Sequence, residues 1–136
     1  MRYCNVLTAL LLSAVVSVAQ ACPITATTYV DYNICLTEEN EAVDKQLNEE
    51  YQSLIRELRT RRDTKAIAEL RANQRRWLVN RDTTCGSQSK EEFNDGWQGP
   101  AYLGCVLQWT KDRTAELQKQ TNGVRARPSV AAPTQQ

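Results

Sequence analysis

Four cysteines behind a short apolar leader constrain this chain more than any other feature. The leader, "MRYCNVLTALLLSAVVSVAQA", has one basic residue, Arg2, then an apolar run from about Val6 to Val18, then the small-x-small ending Ala19-Gln20-Ala21 of a signal peptidase site. The run is too short to span a bilayer, and no stop-transfer pattern follows it. Residues 1–21 therefore read as a secretory signal peptide, with no membrane insertion expected after cleavage. Cys4 leaves with it, while Cys22, Cys35, Cys85 and Cys105 remain. An even set in a small exported chain reads as two disulfides. Cys22 at the cut raises lipid attachment as an alternative. The stretch before it lacks the leucine usual ahead of a lipidated cysteine, and lipidation would leave an odd thiol.

Composition narrows function by exclusion. The 136 residues contain no histidine, which removes Ser-His-Asp and Cys-His catalysis and most zinc sites. No glycine-rich phosphate loop occurs. The carboxylates Glu38, Glu39, Glu41, Asp44, Glu49 and Glu50 fall along one segment, whereas a glycosidase needs two across a cleft, about 5–9 Å apart. The chain has 17 Lys+Arg against 16 Asp+Glu, and Arg2 leaves with the leader, so the mature charge is near zero. That balance gives no support to nucleic-acid or membrane-surface binding. The expectation is a secreted or periplasmic, non-enzymatic protein without cofactor or metal, acting on a protein partner.

Hydrophobic periodicity predicts an all-α domain over residues 22–120, a small antiparallel bundle of three to four helices stapled by two disulfides. Val43, Leu47, Tyr51, Leu54, Ile55 and Leu58 form one stripe on a helix of about 38–60. A short helical turn is expected before it, because Thr28 with Asp31 fits a capping box. A second helix starts at Asp63 or Thr64, both good N-caps, with Ile67, Leu70, Gln74, Trp77, Leu78 and Arg81 on or beside one face. A third begins near Pro100 and carries Leu103, Val106, Leu107, Thr110, Arg113 and Leu117. Between the last two lies "GSQSKEEFNDGWQG", read as a polar, glycine-bounded loop. Residues 121–136 lack apolar periodicity and read as a disordered tail.

The stretch "LRANQRRWLVNRDTTC" combines these themes. On a helix, Arg71, Arg75 and Arg76 point away from the Leu70–Gln74–Trp77 seam and form a solvated face. Arg81 lies on the seam itself. The short link near residue 62 predicts antiparallel packing of the first two helices, with Asp44 opposite Arg81 and Asn48 opposite Trp77. An arginine on a packed seam needs a partner, so Asp44–Arg81 is expected as a structural ion pair. Four cysteines allow three connectivities; the same register favours Cys35–Cys85 with Cys22–Cys105.

The segments "CPITATTYVDYNIC", "AVDKQLNEEYQSL", "LRANQRRWLVNRDTTC" and "GCVLQWTKDRTAELQ" together resemble the secreted four-cysteine helical domain of LprI-type lysozyme inhibitors. The resembling positions are Asp44, Leu47, Asn48 and Tyr51; Leu70, Arg71, Gln74, Arg75 and Trp77; Arg81, Asp82 and Cys85; Thr110 and Arg113. Asn73 stands where the family usually has alanine, and the loop before Cys105 lacks the family's common glycine-glycine-serine start. The resemblance implies the helical fold and a lysozyme-inhibiting activity. It carries no established binding residues.

Charge is asymmetric along the chain: residues 38–50 hold six acidic residues and one lysine, and residues 56–81 hold nine basic and three acidic ones. Antiparallel packing would cancel part of this charge. The remainder makes Glu38, Glu39 and Glu41 candidate contacts for a cationic partner. Phe93 and Trp97 are candidate anchors in the polar loop, or a lid over the helix ends. The function classes are an inhibitor of a lysozyme-class hydrolase, an envelope accessory protein binding another exported protein, and a cryptic hydrolase.

Overall fold

A computed structural model describes residue 22 and residues 28–92 and 98–128. The expected signal peptide and the loop aromatics Phe93 and Trp97 lie outside the described residues. Within them the chain forms three helices and no strand: α1, Tyr29–Thr60; α2, Thr64–Glu92; and α3, Gln98–Ala126. No helix among the described residues is long and apolar enough to cross a membrane.

The helix starts are set by side-chain caps. Thr28 Oγ1 accepts the Asp31 amide at 3.1 Å and donates to its carboxylate at 2.7 Å. This pair caps the long α1 itself, so the expected short turn and the helix from 38 merge into one element of 32 residues. No proline or glycine lies between them to break the run. Asp63 Oδ1 accepts the Ala66 amide at 2.9 Å and caps α2.

Two boundaries predicted from the sequence are corrected. α2 runs through Gly86 to Glu92, so residues 86–92, expected in the loop, are helical. Cys85, on that turn, is bonded to Cys105 of α3, and Ser89 donates to the Gly86 carbonyl at 3.2 Å; tertiary anchoring outweighs the modest helix cost of one glycine. At the other end, α3 passes the expected tail start at 121 and ends at Ala126, with Thr121 and Val124 buried. Val124 joins the core cluster, and Arg125 pairs with Glu57 of α1 at 2.7 Å.

α1 and α3 form the dominant helix pair, and they run parallel. Tyr29 lies against Gly99, where an added Cβ would meet its hydroxyl at 3.0 Å. Asn40 Nδ2 donates to the Leu103 carbonyl at 3.0 Å, Glu39 meets Lys111, and Glu57 meets Arg125. α2 runs antiparallel to both, and its contact with α1 is the least extensive of the three. The reason is apolar supply. α1 buries Leu36, Val43, Leu47, Leu54, Ile55 and Leu58, and α3 buries Leu107, Leu117 and Val124, whereas on α2 the buried apolar residues are Leu70 and Cys85. Burial of apolar area dominates packing, so the two richer stripes find each other.

The disulfides are Cys22–Cys35 and Cys85–Cys105, which corrects the register-based pairing. That pairing assumed α1 and α2 to be close neighbours along their length. Instead Cys22 folds back onto the first turns of α1, and α3 rather than α1 lies beside Cys85.

Candidate functional site

The core is divided by a polar layer. One apolar cluster holds Leu47, Leu54, Ile55, Leu58, Leu70, Leu117 and Val124; the other holds Leu36, Val43 and Leu107. Between them α3 presents Thr110 and Arg113, which are 2% and 4% exposed. Arg81 reaches this layer from α2. Its Nη1 donates to Thr110 Oγ1 at 3.3 Å, its Nε to Asp82 at 2.8 Å, and Nη1 lies 3.9 Å from Asp44 Oδ1 on α1. Asp44 is thus the outer member of the group, half-exposed, with Asp82 and Thr110 the closer partners.

Arg113 is held more tightly. Nε donates to Gln74 at 2.9 Å, Nη1 to Glu116 at 2.7 Å and Nη2 to Asn73 Oδ1 at 2.5 Å. The guanidinium carbons of Arg81 and Arg113 lie 5.1 and 5.9 Å from the centroid of the Trp77 ring, within cation–π reach. Trp77 is therefore half-buried rather than wholly core: it packs on the larger cluster and is covered by arginines.

In front of this layer α1 and α2 leave an open groove of about 450 Å³. Asp44, Leu47, Asn48 and Tyr51 line one wall, and Arg71, Gln74, Arg75 and Leu78 line the other. The residues singled out on two separate helices thus meet across one concavity. Asn48 faces this groove and is exposed; it does not seal against Trp77. Among the described residues no salt bridge crosses between the acidic run and Arg71, Arg75 or Arg76. The ion pairs of α1 go mainly to α3, through Glu39–Lys111 and Glu57–Arg125, so the anticipated cancellation of charge between α1 and α2 is confined to Asp44–Arg81.

The three acidic candidates separate. Glu38 and Glu41 are exposed. Glu39 turns inward: its side chain is 10% exposed and sits 2.7 Å from Lys111 Nζ, which withdraws it from any surface contact. Spacing did not reveal this, because α1 was expected to face α2. Asn73 was also missed as a functional group; its only signal was the departure from alanine, and in the fold it supplies an acceptor to buried Arg113.

Comparison with known proteins places this architecture. The chain is 31% identical over 106 residues to the uncharacterized protein YecT of Escherichia coli (strain K12), covering 70% of this chain and 65% of that protein. It is 27% identical over 103 residues to the uncharacterized protein R02472 of Rhizobium meliloti (strain 1021), covering 69% of this chain and 74% of that one. The chain therefore spans somewhat less than two thirds of the first relative's length. No solved structure matches. Residues 20–117 match the family model described as lysozyme inhibitor LprI, and with that match covering most of the helical domain and all four of its cysteines, the chain belongs to the LprI lysozyme inhibitor family.

Proposed function

We propose that the mature, oxidised chain is an exported, non-catalytic binding protein that inhibits a lysozyme-class cell-wall hydrolase by occluding its cleft. Membership of the LprI family over residues 20–117 carries this reading. The two disulfides support an oxidising compartment, secreted or periplasmic. The partner is a protein, and neither nucleic acid nor membrane insertion enters the mechanism.

The physical basis is occlusion by a rigid surface. Lysozymes are commonly basic, and the exposed carboxylates of Glu38 and Glu41 in the N-terminal half of α1 offer complementary charge. Such charge mainly raises the association rate and is screened by salt. Phe93 and Trp97 belong to the same reading as anchors from the α2–α3 loop, since aromatic residues dominate interface energies.

Clearing of bacterial cell walls by several lysozyme types, followed by turbidity with and without excess mature oxidised protein, tests the proposal. Slowed clearing that recovers as salt rises is the expected result. Unchanged clearing across all types would remove the inhibitor reading and leave an envelope accessory role.

A further inference from the structure

The arginines of the chain divide sharply by partner. Arg81, Arg113 and Arg125 are each committed to carboxylate, amide or hydroxyl oxygens. Arg71 and Arg75 are exposed, and neither makes a hydrogen bond, ion pair or ring contact with a described residue. They stand one helical turn apart on the α2 wall of the groove, with Leu78 a further turn on and 38% exposed. Tyr51 lies half-buried on the facing helix, and its hydroxyl makes no hydrogen bond to another described residue. Asp44 and Asn48 complete the opposite wall.

We infer that this α1–α2 groove is the surface that meets the hydrolase, and that Arg71 and Arg75 address the paired carboxylates of its cleft. The inference rests on the inhibitor reading above and names the contact within it. Retaining glycosidases carry two carboxyl groups about 5–5.5 Å apart across the scissile bond. Side chains at i and i+4 on a helix leave Cβ atoms about 5–6 Å apart, so the two guanidinium groups start from a matching separation. Each presents a planar fork suited to a carboxylate. No ion pair with a described residue has to break before they bind.

Neighbouring residues supply what an exposed charge pair lacks. Tyr51 and Leu78 give aromatic and apolar surface that removes water from the contact, and Tyr and Arg are the side chains that most often dominate interfaces. The opposite signs of the two walls also fit a target whose surface is basic and whose cleft is acidic. A second copy of this chain, its acidic α1 start docked on these arginines, and an anionic wall polymer are the competing occupants.

The test measures calorimetric binding of the mature oxidised protein to lysozymes that it inhibits. The variants are the double substitution Arg71→Ala with Arg75→Ala, and Arg76→Ala as a control on the far edge of α2. Thermal melts of all should coincide with the wild type, since these side chains are exposed. The double variant is expected to lose about tenfold or more in affinity, and Arg76→Ala to stay within about a factor of two. A saturating chito-oligosaccharide, which fills the hydrolase cleft, should compete with the wild-type protein. Neutralising both cleft carboxylates of the lysozyme should weaken wild-type binding and leave the double variant unaffected.

Wild-type inhibition retained in full by the double variant would overturn the groove assignment and leave the inhibitor reading standing. Absence of binding by the wild type to every lysozyme would remove both. If the double variant instead lost only concentration-dependent dimerisation in sedimentation, or only retention on heparin, the occupant would be a second copy or a polyanion, and the inference would fall.

Discussion

Lys111 of α3 holds its ammonium 2.7 Å from the carboxylate of Glu39 on α1, and the Glu39 side chain is 10% exposed. A carboxylate so far removed from water depends on its partner. Lys111→Met would leave that charge unpaired and should cost about 1–3 kcal/mol. Glu39→Lys should lower the melting temperature further, because it sets two cations together. Glu38→Lys and Glu41→Lys, at exposed positions, should each stay within about 0.5 kcal/mol. Melts of the four variants check this; equal small shifts would return Glu39 to the solvent face. Of the three candidate contacts Glu38, Glu39 and Glu41, only Glu38 and Glu41 can therefore be charge-reversed to test the proposed binding without disturbing an internal ion pair.

A second dependence joins Asn73 to Arg113. The buried guanidinium takes three acceptors, two of them neutral amides on α2. Asn73→Ala removes one acceptor of a buried cation. Asn73 is itself exposed, so water replaces it in part, and the expected cost is about 1 kcal/mol, below the roughly 1.5–3 kcal/mol of a fully desolvated hydrogen bond to a charged group. Asn73→Asp should be neutral or mildly stabilising, since it offers the same position with a charge. Urea titrations separate the two; a stability loss in the aspartate variant equal to that of alanine would show that Asn73 does not serve Arg113.

The sequence was most legible where one segment decides its own structure. The α1 stripe from Val43 to Leu58, the caps at Thr28 and Asp63, and the start of the third helix near Pro100 all depend on neighbours within a turn or two. It was least legible where partners come from elsewhere in the chain. Chain adjacency suggested that α1 packs mainly on α2; the apolar stripe of α3 decided otherwise, and that one outcome set the cysteine pairing, the burial of Glu39 and the isolation of Arg71 and Arg75. Gly86 misled for the same reason, since the bond from Cys85 to α3 holds its turn helical. The antiparallel register counted from the link near residue 62 sets Asp44 opposite Arg81, and the two lie 3.9 Å apart in the fold. Their separation, and the prior claims of Asp82 and Thr110 on Arg81, depend on α3.

The disulfide pattern makes a direct chemical prediction. Non-reducing peptide mapping of the oxidised protein should give Cys22–Cys35 and Cys85–Cys105, closing loops of sequence separation 13 and 20. Each bridge should contribute about 2–4 kcal/mol, and loop length alone favours the second by only roughly 0.4 kcal/mol. Burial separates them more. Cys85 is fully buried, and its bond to Cys105 is what fastens the end of α2 to α3. Replacing Cys85 and Cys105 by serine should therefore cost more than replacing Cys22 and Cys35, and should release protease sites near Gly86 first. A map showing Cys35 linked to Cys85 would overturn the helix arrangement itself.

The turn between α1 and α2 holds the last prediction. Arg62 has φ 57°, the positive-φ non-glycine residue among those described. Its amide donates to Arg59 O at 2.9 Å, and the next amide, of Asp63, donates to Leu58 O at 3.0 Å. This is the Schellman arrangement that closes a helix through one left-handed residue, a position that favours glycine. A side chain there costs about 1–2 kcal/mol through crowding of Cβ, and the exposed Arg62 side chain makes no hydrogen bond or ion pair with a described residue in return. Arg62→Gly relieves that crowding and gives back about 0.4–1 kcal/mol through the freer unfolded chain. The net expectation is a gain of about 0.5–1 kcal/mol, or about 2–8 °C in melting temperature for a domain of this size. Arg62→Ala should change little, because it keeps Cβ and loses no contact. Arg62→Val should destabilise, since branching at Cβ worsens the crowding. A glycine variant that melts below the alanine variant would show that the link does not adopt this left-handed turn, and that α2 leaves α1 along a different path.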